Sequence, residues 1–336
     1  MKIAILGAGG WGTAIGILLS SKGHDVYMWT KDQEIADTLT TTRRNDEFLP
    51  GPTLNDNMYF SPDMAFCMED AELLVTATPS HIIRFVAKKI KENIKPGQIV
   101  LNVSKGFEPE TYKTLSEVLK EELTGNEIAV MSGPSHAEEV ARFMPTTNVV
   151  SADNMETAKK IQEIFMSPTF RVYTNTDMLG VELGGALKNV IALGAGISAG
   201  LGLGDNALAA LMTRGIAEIS RLGVKMGAKA ETFSGLSGIG DLIVTCMSQH
   251  SRNRRAGVLI GQGKKLDEAL EEVHTIVEGV TTCKSAYALA QKYGVNMPIT
   301  ECTYEVLFGD MPVRESIAEL MGRAMKPEAE SYMLGN

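Results

Sequence analysis

Two groups of residues carry the chemistry open to this chain. Near the amino terminus "GAGGWG" sets Gly7, Gly9 and Gly12 in G-x-G-x-x-G spacing, after the apolar run Lys2 to Leu6 and ahead of the apolar stretch Trp11 to Ser21. Between a strand and a helix, the first glycine permits a tight turn and the second lets backbone approach a pyrophosphate. The third lets helix and strand pack closely. The helix start then offers unpaired N–H groups and a partial positive charge to the diphosphate. An ordinary glycine-rich turn has the same spacing. Here "HDVYMWTKD" follows about 20 residues on as a second strand, and that context favours a dinucleotide. The second group centres on Lys188, in "ELGGALKNVIALGAGISAGLGLGDN" (182–206), where no other side chain between Leu183 and Gly204 is charged. A lysine in an apolar helix either runs its stem to the surface or has its charge answered nearby.

A polar island follows in "GIGDLIVTCMSQHSRNRRAG", with Asp241, Thr245 and the cluster Ser251, Arg252, Asn253, Arg254 and Arg255. Arg252, after a serine and a turn-like "SQH", can present a planar fork to a phosphate. Arg254 and Arg255 read as a solvated basic helix start. In "IVEGVTT", Glu278 can accept from a ribose hydroxyl or cap a helix; residue types alone leave that choice open.

The elements that position these groups alternate at first. "ELLVTATPS" (72–80), "GQIVLNVSKG" (97–106) and "EIAVMSGPS" (127–135) each read as a buried strand ending in a turn. "HIIRFVAKKIKENI" and "TYKTLSEVLKEEL" carry helical periodicity between them, and "TNVVSAD" and "FRVYTNT" add two strand-like pieces. The pattern predicts an α/β Rossmann-type doubly wound sheet with ligands at the carboxyl ends of the strands, where Pro79, Ser80, Ser104, Lys105, Gly133, Pro134 and Ser135 fall. After about residue 178 strand signals stop. Helices are expected at 180–200, 206–227, 255–261, 266–272, 280–293, 300–307 and 313–324, then a frayed tail after Lys326. The expected organisation is a nucleotide-binding domain, 1–178, and an all-α domain, 179–336, meeting near "NTDMLGVE".

Composition narrows the class. The 336 residues carry a net charge of −9, with a pI near 5.2, which speaks against a broad nucleic-acid footprint. Cys67, Cys246, Cys283 and Cys302 lie far apart with no C-x-x-C pair, which argues against structural zinc or a disulfide scaffold and fits a reducing cytoplasm. The apolar run Ile3 to Leu19 is long for a signal core, lacks a cleavage site and is short for a membrane span. A cytoplasmic protein without a membrane span is expected.

In order and spacing, "GAGGWGTA", "VSKGFE", "SGPSHAEEVA", "ELGGALKNVIALGAGI", "GLSGIGDLIVTC", "SRNRRAG" and "VEGV" resemble the blocks of the bacterial-type NAD(P)-dependent glycerol-3-phosphate dehydrogenases, over nearly the whole chain. The resemblance implies a Rossmann domain joined to an all-helical domain with the active site between them. It implies reversible hydride transfer between NAD(P)H and dihydroxyacetone phosphate, giving sn-glycerol 3-phosphate for phospholipid synthesis. Lys188 matches the family's catalytic lysine, the proton donor to the carbonyl oxygen, with Asp241 as its neighbouring carboxylate. The resemblance also places Lys105, Gly133, Ser135, Asp241, Ser251, Arg252 and Asn253 at the substrate. Gly7, Gly9, Gly10, Trp11, Gly12, Lys31, Lys105, Ala137, Arg252, Ile276 and Glu278 are placed at the cofactor, NADP(H) or NAD(H), with no metal. The residues do not fix the oligomeric state; a homodimer is among the assemblies they allow. Gly10-Trp11 stands where several relatives have Ser followed by Tyr or Phe.

Lys31, rather than an acid, follows the second strand, with Asp32 one place later, so NADPH is expected to serve at least as well as NADH. Two other readings remain open on residues alone. One is a two-domain dehydrogenase of β-hydroxy acids, whose carboxylate substrates need no phosphate-binding cluster. The other is a non-catalytic dinucleotide sensor in which Lys188 is structural.

Overall fold

The computed structural model describes residues 1–325 with 327 and 328. Lys326 and residues 329–336, part of the expected frayed tail, lie outside the described residues. The described residues fall into two compact units: Met1–Glu108 with Lys113–Met178, and those from Leu179 onward with Pro109–Tyr112.

The first unit holds β1 (Lys2–Leu6), β2 (Asp25–Trp29), β3 (Arg44–Asn45), β4 (Leu49–Thr53), β5 (Met58–Ser61), β6 (Leu73–Thr76), β7 (Ile99–Asn102), β8 (Glu127–Ser132), β9 (Thr146–Ala152) and β10 (Phe170–Asn175). Eight of these form one sheet in the order β10-β9-β8-β7-β6-β1-β2-β5, and β3 and β4 form a separate ladder. Pairing is parallel from β5 through β8, antiparallel between β8 and β9, and parallel again between β9 and β10. The order reverses at β1, so the carboxyl ends of β1 and β6 flank the switch point where doubly wound sheets take their ligands. On β1, Ile3 and Ile5 join a layer with Ile15, Leu18 and Leu19, while Ala4 and Leu6 join one with Leu74, Val86 and Ile90. A strand covered on both faces needs no polar alternation, hence the unbroken run "KIAIL".

The segment 44–61 has no counterpart in the sequence reading. β4 contains Pro50 and Pro52, which a two-stranded ladder tolerates, and β5 is a short edge strand. The Asp241–Met247 helix was also not expected; it follows at once on a wide π-type turn, Leu236–Gly240.

In the helical unit, Met178–Gly200 is long and apolar enough to cross a membrane, but 94% of its most apolar window is buried inside the protein. It is a core helix. Its glycines allow close approach: a Cβ on Gly196 would stand 2.8 Å from Gly257 Cα, and one on Gly200 2.9 Å from Gly261 Cα, both on the Arg252–Gly261 helix. Glu218, on the Asp205–Met226 helix, accepts from the Ile299 and Thr300 N–H groups at 2.7 and 3.2 Å, supplying acceptors to the first turn of Pro298–Phe308. Burial pushes its carboxyl up to about 7 despite those bonds.

Candidate active site

In the first unit the glycine turn is built from main chain. Gly7 sits at φ +124°, where a Cβ would lie 2.6 Å from the Ala77 carbonyl oxygen. A Cβ on Gly12 would press within 3.2 Å of both the Gly7 carbonyl carbon and Ala77 Cβ, so the helix can start against the turn only with glycine there. No side chain caps Gly10–Ser21 at Gly9, and its first turn holds no acid. That leaves helix-start N–H groups and the dipole for an anion, which fits a dinucleotide diphosphate. Asn45, missed in the sequence, secures the turn by donating to Ala8 O at 2.9 Å and Thr13 Oγ1 at 2.7 Å. A Cβ on Gly10 would stand 2.7 Å from the Phe48 carbonyl oxygen, so the serine of relatives has no room here unless Phe48 moves. Trp11 is half-buried.

β2 ends at Trp29; Lys31 beyond it is exposed, and exposed Asp32 precedes the Gln33–Thr42 helix without a capping bond. Arg43 donates to the carbonyls of Leu54 (3.3 Å), Met58 (3.0 Å) and Asn55, which makes it a tie for its loop rather than a surface cation. Arg44 pairs with Asp46 at the surface.

Further polar groups gather at the ends of β6, β7 and β8. Thr76 Oγ1 donates to Asn102 Oδ1 at 3.0 Å, Asn102 Nδ2 to Ser104 O at 3.0 Å, and Ser104 Oγ to Thr78 O at 2.6 Å. Lys105 Nζ donates to Gly133 O at 3.2 Å, and Ser135 Oγ donates to the same oxygen at 3.0 Å. Lys105, Gly133 and Ser135 therefore form one cluster, with half-buried Ala137 opening the next short helix. The loop after Lys105 is held by Arg84, which clasps Glu108 through Nε at 2.5 Å and Nη2 at 2.8 Å and also reaches Glu121 and Glu122. Only the fold brings these four residues together.

The helical unit answers the charge of Lys188. The residue is 6% exposed, and its Nζ donates to Asp241 Oδ1 and, at 2.8 Å, to Thr245 Oγ1. Thr245 Oγ1 in turn donates to the Asp241 carbonyl oxygen at 2.6 Å. Asp241 is 1% exposed and stands in the first turn of its helix, where the dipole favours an anion. Cys246, close by, is no candidate nucleophile, since burial pushes its thiol up to about 12.

Around this pair three helices are laced together. Asn253 Nδ2 donates to Asn189 Oδ1 at 2.9 Å, and Asn253 Oδ1 accepts the Gly279 N–H at 2.8 Å. That joins the helices of Lys188, Arg252 and Glu278. Asn189, adjacent to Lys188, is a functional candidate that the sequence reading passed over; its signal was a second polar residue in the same apolar run. Ser251 is buried and caps its helix by accepting the Arg254 N–H at 3.2 Å, while Arg252 is exposed at the first helical position. Arg255 is exposed, but Arg254 departs from the solvated reading: it is half-buried and its Nε is buried without a partner. Glu278 is half-buried in the first turn of its helix, and Ile276 just ahead of it is exposed. Among the described residues there is no group of three or more His, Cys, Asp or Glu that could hold a metal ion.

A doubly wound sheet with an uncapped glycine turn, followed by helices enclosing a buried lysine–aspartate pair, defines a dinucleotide-dependent oxidoreductase. Residues 2–158 match the family described as NAD-dependent glycerol-3-phosphate dehydrogenase N-terminus, and residues 177–318 match its C-terminus. The chain belongs to this family. It is 53% identical over 330 residues to a glycerol-3-phosphate dehydrogenase (NAD(P)+) of Moorella thermoacetica, covering 98% of each chain. To one of Clostridium perfringens it is 51% identical over 327 residues, covering 97% of this chain and 99% of the relative. The crystal structure of glycerol-3-phosphate dehydrogenase from Coxiella burnetii superposes with a TM-score of 0.93 at 37% identity, covering 96% of this chain and 99% of that one.

Proposed function

We infer that this chain is an NAD(P)-dependent sn-glycerol-3-phosphate dehydrogenase, reducing dihydroxyacetone phosphate at C2 for glycerophospholipid biosynthesis. The buried Lys188–Asp241–Thr245 arrangement, in a chain of this family, carries the reading. When bound, the reduced nicotinamide supplies the hydride. The chain's own residues do the rest. Gly7, Gly9, Gly10, Trp11 and Gly12, with the helix start behind them, hold the diphosphate, and Lys31 serves a ribose 2′-phosphate. Ala137, Ile276 and Glu278 line the cofactor, and Lys105 and Arg252 serve cofactor and substrate together.

Reduction turns a carbonyl oxygen into an alkoxide, so the oxygen at C2 gains charge and must gain a proton. Lys188 Nζ donates that proton. Asp241 keeps the ammonium charged and aimed, and Thr245 limits its rotation. In oxidation the neutral amine takes the proton back. Arg252 grips the phosphate, with Ser251 and Asn253 setting its helix start, while Gly133 and Ser135 hold the remainder of the substrate. Residues 1–178 act as the cofactor domain and 179–336 as the substrate domain. A cytoplasmic location and a homodimer belong to the same reading.

Adding dihydroxyacetone phosphate to enzyme and NADPH should consume the reduced cofactor and yield sn-glycerol 3-phosphate. A β-keto acid such as acetoacetate should not. Turnover of the keto acid alone would assign the chain to the hydroxy-acid dehydrogenases, and turnover of neither substrate would leave a dinucleotide sensor.

A further inference from the structure

We propose that Gly184 is a positioning residue, whose direct backbone contact with the Ser237–Gly238 turn sets the approach of Asp241 to Lys188. The inference rests on the assignment of Lys188 as proton donor. Gly184 lies four residues before Lys188 on the same helix, hence one turn away on the same face. A methyl group there would overlap the Ser237 carbonyl oxygen and stand 3.0 Å from its carbon and 3.3 Å from Gly238 Cα. These are backbone atoms, which cannot swing aside as a side-chain end can.

The turn is confined from its other side as well. Gly238 holds a non-helical conformation, φ −94° and ψ −105°, and a Cβ on it would lie 2.5 Å from both Cα and the carbonyl carbon of Phe233. The Gly240 N–H closes the turn onto Gly235 O at 3.2 Å, and Asp241 is the next residue. Ser237 and Asp241 are each 1% exposed, so neither has solvent to relax into. A turn trapped between Gly184 and Phe233 leads straight into the helix that carries Asp241 and Thr245. Any outward displacement moves both Lys188 partners together. A misplacement of about 1 Å costs on the order of 100-fold in rate when it touches the reacting geometry.

The test is a double-mutant cycle on the full-length enzyme. Gly184→Ala should lower kcat by ~10-fold or more while leaving the NADH Kd unchanged. In a Lys188→Met background the same substitution should lower the residual kcat less than ~2-fold, because the interaction it disturbs is already gone. Gly215→Ala gives the control: its methyl meets the Ile191 side chain, at 2.7 to 3.1 Å, and should keep kcat within about 2-fold of the parent. Should Gly184→Ala prove insoluble, Gly235→Ala enters the same cycle. Its methyl would press on the turn more mildly, 3.2 Å from Thr232 O, and should give a smaller loss with the same dependence on Lys188. Full activity in a folded variant, or equal losses with and without Lys188, would overturn the proposal. Retained activity in Lys188→Met alone would instead sink the proton-donor assignment beneath it.

Discussion

The glycine turn and the lysine pocket solve opposite problems. The turn at Gly7–Gly12 presents backbone N–H groups, and its side chains matter chiefly by being absent. The pocket at Lys188 sequesters two charged side chains, 6% and 1% exposed, in a helical core. Backbone recognition is local, so its residues lie within six positions of one another. The Lys188–Asp241 pair spans 53 positions and exists only because two helices pack. The first design breaks when a side chain is added, the second when one is removed.

The largest effect is expected at the pocket. Lys188→Met should preserve cofactor binding but lower kcat by at least ~100-fold, the usual scale for loss of a general acid. It also leaves Asp241 buried without its lysine, so thermal stability should fall. Steady-state kinetics with NADPH titration and a melting curve check both, and near-native kcat would undo the contrast between the two regions.

Next comes Arg252, the proposed phosphate handle, which is exposed and would act only when substrate is present. Arg252→Ala should reduce kcat/KM for dihydroxyacetone phosphate by roughly 2–4 kcal/mol, about 30-fold or more, and hardly affect unphosphorylated dihydroxyacetone. Equal losses for both would show that Arg252 does not read the phosphate.

On the turn the damage should follow from addition. Gly12→Val places atoms against the Gly7 carbonyl and Ala77, so it should weaken NADPH and NADH binding alike, by ~10-fold, measured by fluorescence titration. A change confined to kcat would mean that the turn does more than bind.

The smallest expected effect is a choice between cofactors. NADPH should be used at least as well as NADH, and Lys31→Glu should swing the kcat/KM ratio toward NADH by several-fold, roughly the 0.5–1 kcal/mol of an exposed charge contact. Strong NADH preference in the parent would mean that Asp32 reads the ribose. Because both residues are exposed, raising ionic strength should shrink the swing, whereas the Lys188 effect should persist.

Some of this was legible in the residues and some was not, for identifiable reasons. The strands β1, β2, β6, β7 and β8 showed as apolar runs because a sheet covered on both faces requires them. β5 did not, being four residues long at the sheet edge, nor did the proline-bearing β4. The helix at Asp241–Met247 was hidden by the glycines of the π turn before it, which lower local helix propensity, while packing against Phe233 demands Gly238. Arg254 read as part of a solvated basic helix start, yet the fold half-buries it, and nothing local signals that Arg43 binds three backbone carbonyls.

The sequence by itself determined the alternation of the main sheet strands with helices, the glycine turn and the isolation of one lysine in an apolar helix, since these follow from neighbours within a few residues. It also carried enough family-like blocks to indicate the reaction. The resemblance already named Asp241 beside Lys188; tertiary structure alone decided that Thr245 joins it, that Asn253 is shared between Asn189 and the Gly279 N–H, and that Arg84 clasps Glu108 behind Lys105. Those pairings join residues 24 to 64 positions apart, and no local preference encodes them. They form when apolar faces and glycine contacts bring the helices close enough that a buried charge or amide must find a partner or remain costly.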